Sequence, residues 1–288
     1  MYFVELKAGR DKISRNFNPW VFSGAIKKIH GNPGPGDIVS VADDKGDFIA
    51  MGHYSPLSKI AVRLLEWRPD IEIDETWYKD RIQKASYLRK KIIGNNTDIY
   101  RLIYSEGDYI PGLIVDRFGP VAVLQALSAG IDAVKHRLAY LILESEPYIN
   151  TVFEKSDGDG RRMEGLPESF GIIAGKNPGE SVEAVENSIK FSVSLEGQKT
   201  GFYADQRDNR LKTAHYAEGG KVLDVCSYTG GFSVYAQSHG AAHTTLIDSS
   251  DEALKKASYN MKVNNINESL FSLYKGDAFE VLRRLRCE

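Results

Sequence analysis

The sequence predicts an α/β protein built in three parts, and three observations carry that prediction. Residues 1–73 run as short β-rich stretches separated by Gly/Pro turns, the pattern of a small barrel or sandwich. Residues 74–187 mix amphipathic helices with strands, an α+β segment. Residues 188–288 alternate strand with helix, which implies a parallel sheet.

The 288 residues suffice for about two domains, or three small ones. With 42% hydrophobic residues the chain has the apolar material for real cores. A formal net charge of −2 excludes a uniformly basic nucleic-acid binder but leaves room for a local basic face. Cys226 and Cys287 offer neither a disulfide framework nor zinc spacing, so no metal is expected and a reduced, cytoplasmic setting is the simplest reading. The opening "MYFVELKAGRDKISRNF" is broken by charge throughout, unlike a secretory signal. No apolar run approaches the ~18–20 residues that span a bilayer, so no membrane partner is expected.

In the first part the strand stretches are "FVELKAG", "IVSVADD", "FIAMGHY" and "KIAVRLLEW", punctuated by "GNPGPGD", Lys45-Gly46 and Ser55-Pro56. "RPDIEID" reads as a linker. The second part opens on the helical "ETWYKDRIQKASYLRKKII", with Trp77, Ile82, Ala85, Leu88 and Ile92 on roughly one face. Strands follow in "IYRLIYSEGD" and "IPGLIVDRFGPVAVLQAL", then a helix in "IDAVKHRLAYLILES", a strand in "INTVFEKSD" and a polar, glycine-rich stretch over residues 158–165. In the third part "IKFSVSL", "KVLDVC", "HTTLID" and "LFSLYKGD" are strands; "RDNRLKTAHYA", "GFSVYAQSHG", "SDEALKKASYNMKVNN" and "AFEVLRRLR" are helices.

The ligand of an open α/β sheet sits outside the carboxyl ends of its strands. Three such ends here carry acids: Asp224, Asp248 and Asp277. The first two are separated by roughly the distance found between a glycine turn and a ribose-binding acid, so the ligand is expected to contain a nucleoside. "VLDVCSYTGGFSVYA" lacks the G-x-G-x-x-G spacing of a dinucleotide site, which argues against a dinucleotide-dependent oxidoreductase. Asp224 beside the turn would repel a pyrophosphate but suits an α-amino group or a sulfonium. S-adenosylmethionine carries both, joined to adenosine, and its carboxylate could use the backbone N–H groups of Thr229, Gly230 and Gly231. The plainer reading remains beside it: a Gly-Gly chain reversal, with Asp and Ser as helix N-caps, above all Asp277. Upstream, "GQKTGFYADQRDNR" is a donor-rich junction able to close over a nucleoside, or simply a solvated loop.

That stretch, followed by "VLDVCSYTGGFSVYA", "LIDSSDEALKKASYN" and "YKGDAFEVL", resembles the large-subunit ribosomal RNA cytosine-5 methyltransferases that carry an N-terminal PUA domain. "NPWVFSGAI", "PGDIVSVADDKGDFIAMGHYSPLSKIAVRLL", "EGDYIPGLIVDRFG" and "EKSDGDGRRMEGL" extend the resemblance over essentially the whole chain. It implies a PUA-like RNA-binding domain at 1–73, an α+β middle domain at 74–187 and the first part of a Rossmann-like S-adenosylmethionine methyltransferase domain at 188–288. It further implies cofactor contacts from Asp205, Gln206 and Arg207, from Asp224, Tyr228, Thr229, Gly230 and Gly231 around the methionine end, from Asp248 and Ser249 at the ribose, and from Asp277 and Ala278 at the adenine edge.

The same resemblance implies an Asp-Pro-Pro motif after a fourth strand and a later cysteine that attacks cytosine carbon 6. The chain contains no Asp-Pro-Pro, and neither Cys226 nor Cys287 stands at the position of the attacking cysteine. The expectation is therefore a chain that binds cofactor while lacking the catalytic residues, cut short or frameshifted; the alternative is a catalytically inactive RNA-binding module. With no fourth strand, "KVLDVC" is expected to be an exposed sheet edge, or one covered by a partner chain such as a second copy in a homodimer. For ribosomal RNA contact, Arg10, Lys12, Trp20, Lys27 and Lys28 form a candidate phosphate-tracking and stacking surface. Arg161 and Arg162 are weaker candidates.

Overall fold

The computed structural model describes residues 2–195, 197 and 200–286. The chain divides into two compact units: residues 1–93 with 101–178, and residues 94–100 with 179–288.

The first unit opens with β1 (Tyr2–Leu6), a short helix α1 (Lys12–Arg15), β2 (Trp20–Phe22), β3 (Ile26–His30), β4 (Ile38–Ala42), β5 (Phe48–Tyr54) and β6 (Ile60–Glu66). These strands form one six-stranded sheet in the order β2-β6-β5-β4-β1-β3. Alternation puts Val4, Leu6, Val39, Val41, Val62 and Leu64 into a common core. Burying such side chains contributes roughly 1.5–3 kcal/mol each. Gly52 sits where the β5–β6 register shifts. A Cβ there would lie 2.1 Å from the Arg63 carbonyl oxygen, so only glycine permits that approach.

The unit continues through α2 (Glu75–Ile92), β7 (Ile99–Tyr104), β8 (Leu113–Phe118), β9 (Val121–Ala126), α3 (Ala129–Ser145), β10 (Thr151–Ser156), α4 (Asp159–Met163) and β11 (Ser169–Gly175). The sheet order is β11-β10-β9-β8-β7, with β10 parallel to β9 across the α3 crossover and β8–β9 an antiparallel hairpin. Asp74 caps α2 by accepting from the Trp77 N–H at 2.8 Å. The buried face of α2 is Trp77, Tyr78, Ile82, Ala85 and Ser86; Leu88 and Ile92, expected on it, face outward at 49% and 66% exposure. The stripe is rotated because Ser86 and Arg89 reach buried carboxylates, Glu146 and Asp108. Arg161 is not an RNA-facing residue: it is 1% exposed and donates to the Ala126 carbonyl at 2.6 Å and to Asp132 at 2.7 Å. Arg162 is exposed and pairs with Asp159.

His53, on β5, is sealed in this unit. Its Nε2 lies 2.9 Å from the Tyr78 hydroxyl, while Nδ1 has no hydrogen-bond partner among the described residues. Burial, with the nearby Arg63 charge, pushes its pKa down to about 4.

The second unit contains β12 (Ser181–Glu186), β13 (Ile189–Ser194), α5 (Arg207–His215), β14 (Lys221–Val225), α6 (Gly231–Ser238), β15 (His243–Asp248), α7 (Asp251–Val263), β16 (Phe271–Lys275) and α8 (Ala278–Leu285). β12 and β13 form an antiparallel hairpin that turns at residues 187–188, and the main segment of this unit runs from residue 179. Residues 94–100 join it because Asp98 exchanges backbone and side-chain bonds with Val185, and Thr97 Oγ1 accepts from the Asn187 N–H. β14, β15 and β16 are parallel and adjacent in that order. β14 is an edge strand among the described residues, and its Leu223 and Val225 are 50% and 38% exposed. Among the described residues no helix is long and apolar enough to cross a membrane.

Candidate cofactor site

The turn after β14 is set by backbone geometry before any ligand is considered. Cys226 and Tyr228 have φ of 60° and 48°, and Gly230 has 76°. Non-glycine residues enter the left-handed region only where surrounding bonds fix them. Here the Ser227 N–H donates to the Ile247 carbonyl at 3.0 Å and the Tyr228 N–H to Asp248 Oδ2 at 2.8 Å. Asn260 of α7, fully buried, donates to the Thr229 carbonyl and accepts from the Ser192 N–H, both at 2.9 Å. These bonds set the backbone path of the turn at the carboxyl end of the sheet.

A cavity of about 690 Å³ lies there, within the range of ligand pockets. Of the sequence-predicted residues, Gln206, Asp224, Tyr228, Thr229, Gly231, Asp248, Ser249, Asp277 and Ala278 line it. Asp205, Arg207 and Gly230 do not. Asp205 sits in the 3₁₀ turn before α5, and the Arg207 guanidinium turns to Asp208 at 3.1 Å. Gly230 faces the protein instead: a Cβ on it would meet Ala257 at 3.0 Å and Leu246 at 3.1 Å. Gln198 and Lys199 of the upstream motif, and Cys287, lie outside the described residues.

The acids are each anchored. Asp224 Oδ2 accepts from the Ser233 hydroxyl at 2.8 Å, and burial, reinforced by the Asp248 charge, raises its pKa. Asp248 accepts one backbone N–H on each oxygen, from Tyr228 and from Ser250. Asp277 Oδ1 caps α8 through the Phe279 and Glu280 N–H groups, so the capping role is present alongside its place at the cavity wall. Three carboxylates around one cavity favour a ligand that brings positive charge.

Several lining residues stand outside the set expected from sequence. Phe202 and Tyr203 supply aromatic wall, with Tyr203 edge-on to Tyr228 at 5.6 Å between ring centres. Ser227 is 6% exposed, and its hydroxyl has no partner among the described residues. A buried hydroxyl left unsatisfied in a cavity wall fits a site built to hydrogen-bond something else. Cys226 also lines the cavity and is an exposed free thiol.

Comparison with known proteins agrees with this geometry. Residues 4–67 match the PUA-like domain model, and residues 163–287 the model of S-adenosylmethionine-dependent methyltransferases. The ribosomal RNA large subunit methyltransferase I of Alteromonas mediterranea is 40% identical over 282 residues, covering 97% of this chain and 70% of that protein. The chain belongs to the ribosomal RNA large subunit methyltransferase I family. The Aliivibrio fischeri member is 37% identical over 286 residues, 98% of this chain and 72% of its own length. In fold, the chain is similar to a Streptococcus mutans structure described as an S-adenosylmethionine-dependent methyltransferase (TM-score 0.82, 21% identity, covering all of this chain and 74% of that one). A methyltransferase structure complexed with S-adenosylhomocysteine gives a TM-score of 0.84 at 21% identity, covering all of this chain and 73% of its own. The methyl donor of the family is S-adenosylmethionine, and the acid-lined cavity with its orphan hydroxyl fits it.

Proposed function

We propose that this chain binds S-adenosylmethionine in the β14–β16 cavity for methylation of carbon 5 of a cytosine in large-subunit ribosomal RNA. The observation that carries the reading is the set of acids at three successive strand ends around one cavity, with the Ser227 hydroxyl unpartnered in its wall among the described residues. Bound there, the cofactor supplies a methyl group on a positively charged sulfur. Asp224 faces that charge, and Asp248, held on two backbone N–H groups, keeps a lone pair on each oxygen for ribose hydroxyls. A cysteine that adds to cytosine makes carbon 5 nucleophilic. The 288 residues contain no Asp-Pro-Pro, and Cys226 sits on the cofactor turn. The reading is therefore cofactor and RNA binding without turnover by these residues alone.

RNA contact is assigned to Arg10, Lys12, Trp20, Lys27 and Lys28, all of them exposed. Lys27 and Lys28 lie on β3 and Trp20 on β2, the two outer strands of the six-stranded sheet. Lys27 pairs with Glu5 at 2.6 Å and the Trp20 indole donates to Glu106 at 2.9 Å; Trp20 as a whole is 39% exposed, and an exposed indole is a stacking platform for an unpaired base.

Calorimetric titration with S-adenosylhomocysteine tests the cofactor assignment; no heat from a folded sample sinks it. Transfer of labelled methyl to ribosomal RNA is expected from a chain that also carries the Asp-Pro-Pro motif and later cysteine, and not from these residues alone.

A further inference from the structure

The α5 residue Arg210 is 2% exposed, yet it lines the cavity. A guanidinium has five N–H donors. Nε donates to Glu186 Oε1 at 2.8 Å; Nη2 donates to Glu186 Oε2 at 2.8 Å and to the Tyr203 carbonyl at 3.1 Å. Those three bonds lock the group's orientation, helped by the Phe202 ring 4.5 Å below its central carbon. Glu186 is itself fully buried and further fixed by the Tyr235 hydroxyl at 3.0 Å. The two hydrogens on Nη1 have no acceptor among the described residues. Nη1 lies 3.7 Å from where a Cβ would stand on Gly231, the first residue of α6 and part of the cavity wall. A side chain at residue 231 would fill that gap.

We infer that Arg210 anchors the α-carboxylate of the cofactor's amino-acid end, with Glu186 as the residue that positions it. A carboxylate between Nη1 and the N-terminus of α6 would meet two free donors and the positive end of a helix dipole. The cavity's acids then attract the cationic sulfur and amino group, while the guanidinium in the wall takes the anionic group. This assignment rests on S-adenosylmethionine occupying the cavity. It gives the carboxylate to Arg210, whereas the nearer-looking Arg207 is turned away to Asp208.

The test compares two ligands by calorimetry: S-adenosylhomocysteine, and 5′-methylthioadenosine, which lacks the amino-acid end. Wild-type protein should bind both, and failure to bind either removes the occupancy reading together with this one. Arg210→Ala should weaken S-adenosylhomocysteine by about ten-fold or more, the loss of a charge-assisted hydrogen bond, and leave methylthioadenosine within about two-fold. Because Arg210→Ala strands a buried Glu186, the paired variant Glu186→Gln/Arg210→Gln removes both charges and should give the same selective loss. Equal weakening of both ligands in a folded variant, or weakening of neither, overturns the assignment.

Discussion

The His53 site predicts a specific acid sensitivity in the first unit. An unfolded histidine takes up its proton near pH 6.5, whereas in the folded protein His53 does so only at about 4. Between those values the unfolded chain holds the extra proton, so acid favours unfolding. The stability tied to neutral His53 is complete above pH 6.5, falls with pH and is fully lost near pH 4. At about 1.4 kcal/mol per pH unit across that window, the full loss is about 3 kcal/mol, with about 2 kcal/mol gone by pH 5. His53 is 1% exposed, so solvent does not screen the effect appreciably. The charged neighbour is Arg63, itself paired with Glu164 at 2.8 Å, and Tyr78 offers only its hydroxyl. Urea unfolding followed by tryptophan fluorescence isolates this unit, because Trp20, Trp67 and Trp77 all belong to it. His53→Gln keeps a partner for Tyr78 but cannot titrate, so wild type should lose about 2 kcal/mol more than the variant between pH 7.5 and pH 5. Parallel losses in the two proteins, or a His53 NMR titration centred near 6.5, would refute the reasoning.

Other outcomes follow from single contacts. Ser227→Ala removes a hydroxyl with no partner among the described residues, so the free protein should lose no stability while S-adenosylhomocysteine binds about three- to ten-fold more weakly in calorimetry. Gly230→Ala combines a left-handed φ of 76° with close approach to Ala257 and Leu246, and should cost about 1–3 kcal/mol in denaturant unfolding of the second unit.

Much of the third part was legible because its signals are local: strand–helix alternation, acids at strand ends and a glycine turn all mark positions along the chain. Acids at three strand ends pointed to the cavity, and Asp224, Asp248 and Asp277 line it. Arg210 and Ser227 were not legible, since an arginine in a polar helix and a serine in a turn look ordinary until burial shows what surrounds them. The strands missed were short or polar. β2 has three residues, β3 reads "IKKIH", and β11 and β12 carry Gly and Glu, so pairing rather than pattern makes them strands. Leu88 and Ile92 misled for the converse reason: apolar spacing fixes a stripe, and tertiary partners decide which part of it turns inward.

β14 has a consequence for how the cofactor site breathes. It is bonded on one side only among the described residues, and it carries both Asp224 and the turn that follows. That part of the cavity wall is thus built on an edge strand among the described residues, where local opening costs less free energy than in β15, which is paired on both sides. A ligand that bridges this wall to β15 and β16 closes that opening, so its binding should slow amide hydrogen exchange over residues 221–230 more than anywhere in the first unit.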